Sequence, residues 1–234
     1  METSGRIRQV GLHREGTVRW LTVLPSDTRI RYRSIVAAAA PRIEAALRPS
    51  VLANRVQAAS PDPPVLRLRP WRVERRAFQR ALGTLAGRDA VLAFADVRAC
   101  FPSIARPAVI GALGRLGCPA EAEALDTFLG RLAAEGVVGL PVGPEPSAVL
   151  ANAVLASADD ALAEAGVPNL RWVDDVVVAA PDESSALAGV NVFGEALREL
   201  GLALNTRKTR IVVDPASLAR HVRVSAVGAP SGVG

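Results

Sequence analysis

Apolar and polar positions alternate loosely through VRWLTVLP, residues 18–25, and Gly16 and Pro25 punctuate the segment. Short strands around a turn are therefore expected over residues 1–24. The period then lengthens. Residues 26–50, SDTRIRYRSIVAAAAPRIEAALRPS, predict helix, with Ser26 or Asp27 as N-cap and a kink or division at Pro41. Residues 59–70, ASPDPPVLRLRP, read as a proline-rich connector. Residues 71–87, WRVERRAFQRALGTLAG, predict a basic helix closed by Gly87. In residues 89–97, DAVLAFADV, the run is apolar enough for a buried strand ending in Asp96.

Beyond that strand the pattern predicts two helices ended by Gly117 and Gly136, then a short strand and turn in VVGLPVGPEPS. A long helix is expected over residues 147–166, followed by a strand–turn–strand in NLRWVDDVVVAAP. An amphipathic helix in ESSALAGVNVFGEALRELG and a strand in TRIVV complete the order. Such an order implies a small sheet with helices on one face, an α+β fold. No internal repeat or low-complexity tract interrupts it.

Half of the residues are hydrophobic, which excludes a disordered chain. No apolar run approaches the ~18–20 residues that span a bilayer, and the first residues lack the apolar centre of a signal peptide. Cys100 and Cys118 fit no zinc spacing and are expected to be reduced and structural, in a cytoplasmic protein. His13 and His221 are isolated, so histidine metal sites and triads have little to work with. Walker and dinucleotide-binding glycine patterns are absent.

Charge is divided along the chain. Residues 1–90 hold 17 arginines against 7 acids, a net of +10, whereas residues 91–234 hold 11 basic and 16 acidic groups, a net of −5. A basic front suited to a polyanion and an acidic back suited to cations follow from this segregation. Biased codon usage would explain abundant arginine but not its placement. Of the 28 basic residues one is lysine, Lys208. Ammonium can release a proton where guanidinium cannot, so Lys208 is a candidate for proton chemistry; chance survival of one lysine codon is the competing reading.

Asp174 and Asp175 sit side by side in a run otherwise fit for a buried strand. Burying a lone carboxylate costs several kcal/mol or neutralises it, so the pair either occupies a hairpin apex or meets a positive partner. If the strand ending in Asp96 lies beside that hairpin, three carboxylates meet at one end of the sheet. Oxygen ligands of this kind suit Mg²⁺. Asp159-Asp160 is the same dipeptide in an alanine-rich helix, where it reads as a solvated face.

These segments resemble the motifs of reverse transcriptases, in order. FADVRACFPSI resembles motif A, GLPVGPEPSAVLAN motif B, RWVDDVVV motif C and LGLALNTRKTRIVV motif D, across roughly residues 91–214. The style is closest to bacterial enzymes, including abortive-infection, defence-associated, retron and group II intron types. The resemblance implies a polymerase right hand: a palm at residues 89–234, built on a small antiparallel ferredoxin-like sheet flanked by helices, and basic, mostly helical fingers at residues 1–88. It implies Asp96, Asp174 and Asp175 as ligands of two Mg²⁺ ions, with Mn²⁺ as substitute, and Lys208 as proton donor to the leaving pyrophosphate. Phe101 would exclude a ribose 2′-OH and so favour dNTPs. Pro141 and Gly143 would admit the nucleotide, Ser147 and Asn152 would face the template, and Trp172 would stand where the family has tyrosine. Arg19, with Arg29 or Arg33 next, would hold the triphosphate.

Two departures bear on activity. Val142 replaces the usual glutamine, and residues 221–234, HVRVSAVGAPSGVG, leave room only for a last strand and a loose tail, so a thumb is expected to be absent or vestigial. The function expected is dNTP addition to a nucleic-acid or protein primer 3′-OH, with RNA as template or associated partner, and a role in phage defence. A thumb would then come from another protein or an oligomer. The competing reading is a degenerate polymerase that binds RNA or serves as an assembly subunit. An RNA-dependent RNA polymerase is disfavoured by Phe101.

Overall fold

A computed structural model describes residues 6–14, 17–57, 65–87 and 91–213. Strands β1 (Arg8–Arg14) and β2 (Thr17–Val23) form the expected antiparallel hairpin. Helix α1 (Ser26–Ala46) follows, then α2 (Trp71–Ala86). Strand β3 (Val91–Asp96) leads into α3 (Cys100–Ser103), α4 (Arg106–Arg115), α5 (Pro119–Ala134) and the long α6 (Glu145–Glu164). Strands β4 (Asn169–Trp172) and β5 (Asp175–Ala180), α7 (Glu183–Glu199) and β6 (Arg210–Val212) close the order. The α+β architecture is the one expected. The last strand and tail anticipated at residues 221–234, the first half of the connector, and the turn at Gly16 lie outside the described residues.

The second sheet is fully antiparallel in the order β4-β5-β3-β6. Side chains on a strand alternate between faces, and β3 and β5 are buried on both. Val91, Ala93, Ala95, Val176 and Val178 join a core shared with α1 and α4 to α7. Leu92, Phe94, Val177 and Ala179 face the other way, into a smaller core with Phe78, Leu82 and Leu85 of α2. Helices therefore cover both faces, not one. The basic helix α2 folds because its apolar stripe gains this second surface, at about 1.5–3 kcal/mol for each large side chain buried. The exposed edge of β4 is covered by residues 50–52: Arg171 N–H donates to Ser50 O, and Leu52 N–H to Arg171 O.

Other expectations need correction. Pro41 lies inside α1 without dividing it, and Pro25, not Ser26 or Asp27, is its N-cap. Residues 137–144 form no strand. That segment turns through Gly139, at φ +64°, and meets β2 through Thr22 N–H donating to Val142 O at 2.8 Å. Cys100 and Cys118 are unpaired and buried, and burial pushes the Cys100 thiol up to about 12. Among the described residues no helix is long and apolar enough to cross a membrane.

Gly139 joins the motif B segment to the motif A turn, where Leu140 N–H donates to Phe101 O at 2.9 Å. A Cβ on Gly139 would lie 2.3 Å from Pro102 O and 2.6 Å from Phe101 O, both backbone atoms that cannot swing away. Gly139→Ala is expected to lower unfolding free energy by at least about 2 kcal/mol, measured as a shifted urea midpoint at unchanged slope.

Candidate active site

The β4–β5 hairpin turns through only two residues, Val173 and Asp174, with Trp172 opposite Asp175. Two-residue hairpins need positive φ, normally supplied by glycine, asparagine or aspartate. Here Val173 adopts φ 59°, a strained conformation for a β-branched residue, at about 1–3 kcal/mol. Arg171 holds it. Its Nη1 donates to Val173 O and to Asn152 Oδ1, each at 2.8 Å, while Nε and Nη2 grip both oxygens of Asp159 at 2.7–3.1 Å. Asn152 in turn donates to Ala53 O at 2.9 Å. Arg171, Asp159 and Asn152 are all buried. The turn is thus bolted through β4 and α6 to the segment beside β4.

Asp96 and Asp175 are direct cross-strand partners, and Val97 N–H donates to Asp174 O at 3.1 Å. Like charges opposite one another destabilise a sheet. Asp96 is buried, with Oδ2 accepting from Lys208 Nζ at 2.9 Å and Oδ1 from Asn205 Nδ2 at 2.8 Å. Asn205 N–H also donates to Asp96 O. Burial, then the Asp96 charge, raises the Asp174 pKa, against which Lys208 and Arg19 act. Asp175 is open to solvent on one side yet is pushed up to about 6, first by burial and then by Asp174 and Asp96. Partial burial draws Lys208 down, but the hydrogen bond and charge of Asp96 raise it overall.

The sign of this charge matters. Between the ordinary carboxylate range and about 6 the folded chain keeps a proton on Asp175 that the unfolded chain releases. Stability from this group therefore falls as pH rises through that window. Negative charge is in excess here, and an added cation would relieve it. The donor set is all oxygen and suits a hard divalent ion. Among the described residues no three acidic, histidine or cysteine side chains yet close around one point.

The remaining candidates divide. Arg19, exposed on β2, acts on Asp174 from the hairpin. Gly143, exposed at φ +114°, lies against Leu21 of the same strand. Phe101 is half-buried against the main core, and Pro141 is buried, leaving its ring no open face. Ser147 and Asn152 do not face a template: both are buried, Ser147 hydrogen-bonded to Tyr32 at 3.1 Å and Asn152 to Arg171 and Ala53. Burial raises the Tyr32 pKa. Trp172 is half-buried and packs on Phe78 rather than standing free. Arg29 is exposed, whereas Arg33 pairs with Glu145 and donates to Leu66 O, so it is not a free phosphate contact.

Sequence reasoning missed Arg171, Asp159, Asn205 and Gly139. One signal was present: Arg171 is a lone cation in an apolar strand beside two acids, and such a charge requires a partner. Asp159, read as solvated, is that partner; Asp160 is the outward residue, paired with Arg48 at 2.6 Å. Asp159→Ala is expected to cost about 3–5 kcal/mol in a denaturant melt by stranding a buried guanidinium, and Asp160→Ala about 1 kcal/mol or less.

Comparison with known proteins bears on the fold and the family. In fold, telomerase from Candida albicans, solved in complex with a TWJ fragment of telomeric RNA, aligns with TM-score 0.55 at 12% identity, over 90% of this chain and 42% of that one. Apo telomerase from Candida tropicalis aligns with TM-score 0.56 at 14% identity, over 91% and 44%. A form of it truncated from the C-terminal domain gives 0.53 at 13%, over 90% and 50%. The chain thus spans half or less of these proteins' length. No curated protein matches it in sequence. Residues 14–226 match the family model for reverse transcriptase (RNA-dependent DNA polymerase), and the chain belongs to that family.

Proposed function

We propose that the chain is a nucleotidyltransferase that adds dNTPs to a primer 3′-OH, with RNA as template. The observation that carries this reading is the direct opposition of Asp96 and Asp175, with Asp174 in the adjoining turn. Residues 1–88 act as fingers and 89–234 as palm, although α1 and α6 share one core across that division. Asp96, Asp174 and Asp175 would hold Mg²⁺, or Mn²⁺ in its place. Bound there, divalent ions neutralise phosphate charge and activate the attacking hydroxyl.

The chain's own residues supply the rest. Arg19, close enough to act on Asp174, holds the triphosphate; Gly143 beside β2 lets the nucleotide approach the backbone. Phe101 bars the 2′-OH. Lys208, already on Asp96, donates a proton to the leaving pyrophosphate, a role that guanidinium cannot fill. The bacterial style of the motifs supports a role in phage defence.

One observation favours a second reading, an RNA-binding or assembly subunit without catalysis: both oxygens of Asp96 are already engaged. Labelled-nucleotide incorporation with Mg²⁺ decides between the two, run with dNTPs and NTPs, with and without RNA template. The wild type is expected to incorporate dNTPs and Asp174→Asn/Asp175→Asn to lose all signal. Lys208→Arg is expected to fall by about 10²–10⁴-fold while melting as the wild type does. No signal from the wild type would favour the binding reading, and equal signal from the acid variant would refute the assignment.

A further inference from the structure

On the α2-covered face of the sheet, Arg75 is buried to 8% exposure, yet its side chain makes no hydrogen bond or ion pair among the described residues. Its Nε is shut off from solvent with nothing to donate to. The guanidinium instead lies near two rings, 5.6 Å from the Phe78 centroid and 5.2 Å from that of Trp172. Burial lowers the basicity of Arg75, and the charge of Asp175 opposes that effect. An unpaired, largely desolvated cation is costly to a fold. Stacking on aromatic faces recovers only part of that cost.

Its place in the sheet suggests what completes it. Trp172 is the register partner of Asp175, which is opposite Asp96, so all three stand on the face that α2 covers. Arg210 repeats the arrangement there, its guanidinium 4.9 Å above Phe94, the residue it pairs with on β3. Arg210 also draws the Asp175 pKa down. Two ring-borne arginines therefore flank the acids on this face, whereas Arg19 approaches Asp174 from the β1–β2 hairpin. If the triphosphate sits on the Arg19 side, the strand to be extended arrives from the side of Asp175.

We propose that Arg75, stacked on Trp172, binds a backbone phosphodiester of the nucleic-acid strand being extended, close to its 3′ end, with Arg210 as a flanking contact. This rests on the polymerase reading above. A phosphodiester satisfies guanidinium donors that the described residues leave unpartnered, and the half-buried indole offers a stacking edge to the adjoining nucleoside. Tryptophan at 172, in place of the family's tyrosine, gives the guanidinium a broader ring to lie on.

The test is binding of the full chain to a fluorescein-labelled DNA primer annealed to an RNA template, without nucleotide, followed by anisotropy across a salt series. Arg75→Met keeps the aliphatic volume against both rings. It is expected to weaken binding about tenfold and to reduce the slope of log K against log salt by about 1. Arg75→Lys should keep the slope. Arg115→Met, on the exposed end of α4, should leave both affinity and slope close to wild type. Arg75→Met should also melt no lower than the wild type, because it removes an unpaired cation; a purely structural arginine would lower it. An unchanged salt slope in folded Arg75→Met, or no hybrid binding by the wild type, overturns the proposal. Incorporation by the wild type with an unchanged Arg75→Met slope would defeat this site alone. Arg75-dependent binding without incorporation would defeat the catalytic reading alone.

Discussion

Two carboxylates placed directly across an antiparallel pair, with a third in the adjoining turn, are the arrangement on which the rest of this molecule depends. Left to itself such a cluster would drive the strands apart or take up protons, and burial first, then the neighbouring carboxylates, pushes Asp174 and Asp175 upward. The fold tolerates it because β3 and β5 are clamped from both faces. Helices of the main core lie on one side and α2 on the other. Stability spent on the acids is recovered in the apolar rows behind them.

The same logic explains the polar interior. Arg171, Asp159 and Asn152 are three polar side chains where apolar ones would pack at less risk. Their use is positional: one guanidinium joins helix, strand and hairpin carbonyl, so the strained Val173 turn has one favoured geometry. Asn205 and Lys208 do similar work for Asp96 from the segment before β6. The Asp96 carboxylate and the turn that carries Asp174 are therefore each held by contacts from elements remote in sequence, as preorganised electrostatic sites require.

Much of this was legible in the residues themselves. Alternation in β3 and β5, helix-length apolar stripes and terminal glycines such as Gly117 and Gly136 were enough for the element order. The ordered motifs were enough to bring Asp96 near Asp174 and Asp175. What escaped was long-range pairing of polar groups. Periodicity cannot say that Asp159 turns inward while Asp160 turns outward, because an alanine-rich helix carries no strong polar face. Ser147 and Asn152 were misread for the same reason: α6 is buried on nearly every side, so its polar residues bind protein. The strand expected in residues 137–144 failed because Gly139 must pass against the Phe101 and Pro102 carbonyls. The second face of the sheet was unforeseen because α2 reads as a basic surface helix until its apolar stripe finds a partner.

We propose that the excess negative charge at Asp96, Asp174 and Asp175, which Lys208 offsets only in part, is held ready for divalent cations. Thermal melting at pH 7 with increasing Mg²⁺ tests it, on the wild type and on Asp175→Asn. Without metal the asparagine variant is expected to melt above the wild type, since one repelling charge is gone. Mg²⁺ should then raise the wild type, by about 2.7 kcal/mol at a hundredfold excess over its Kd, and leave the variant nearly unmoved. A metal-free wild type that melts higher than the variant, with neither responding to Mg²⁺, would contradict the account.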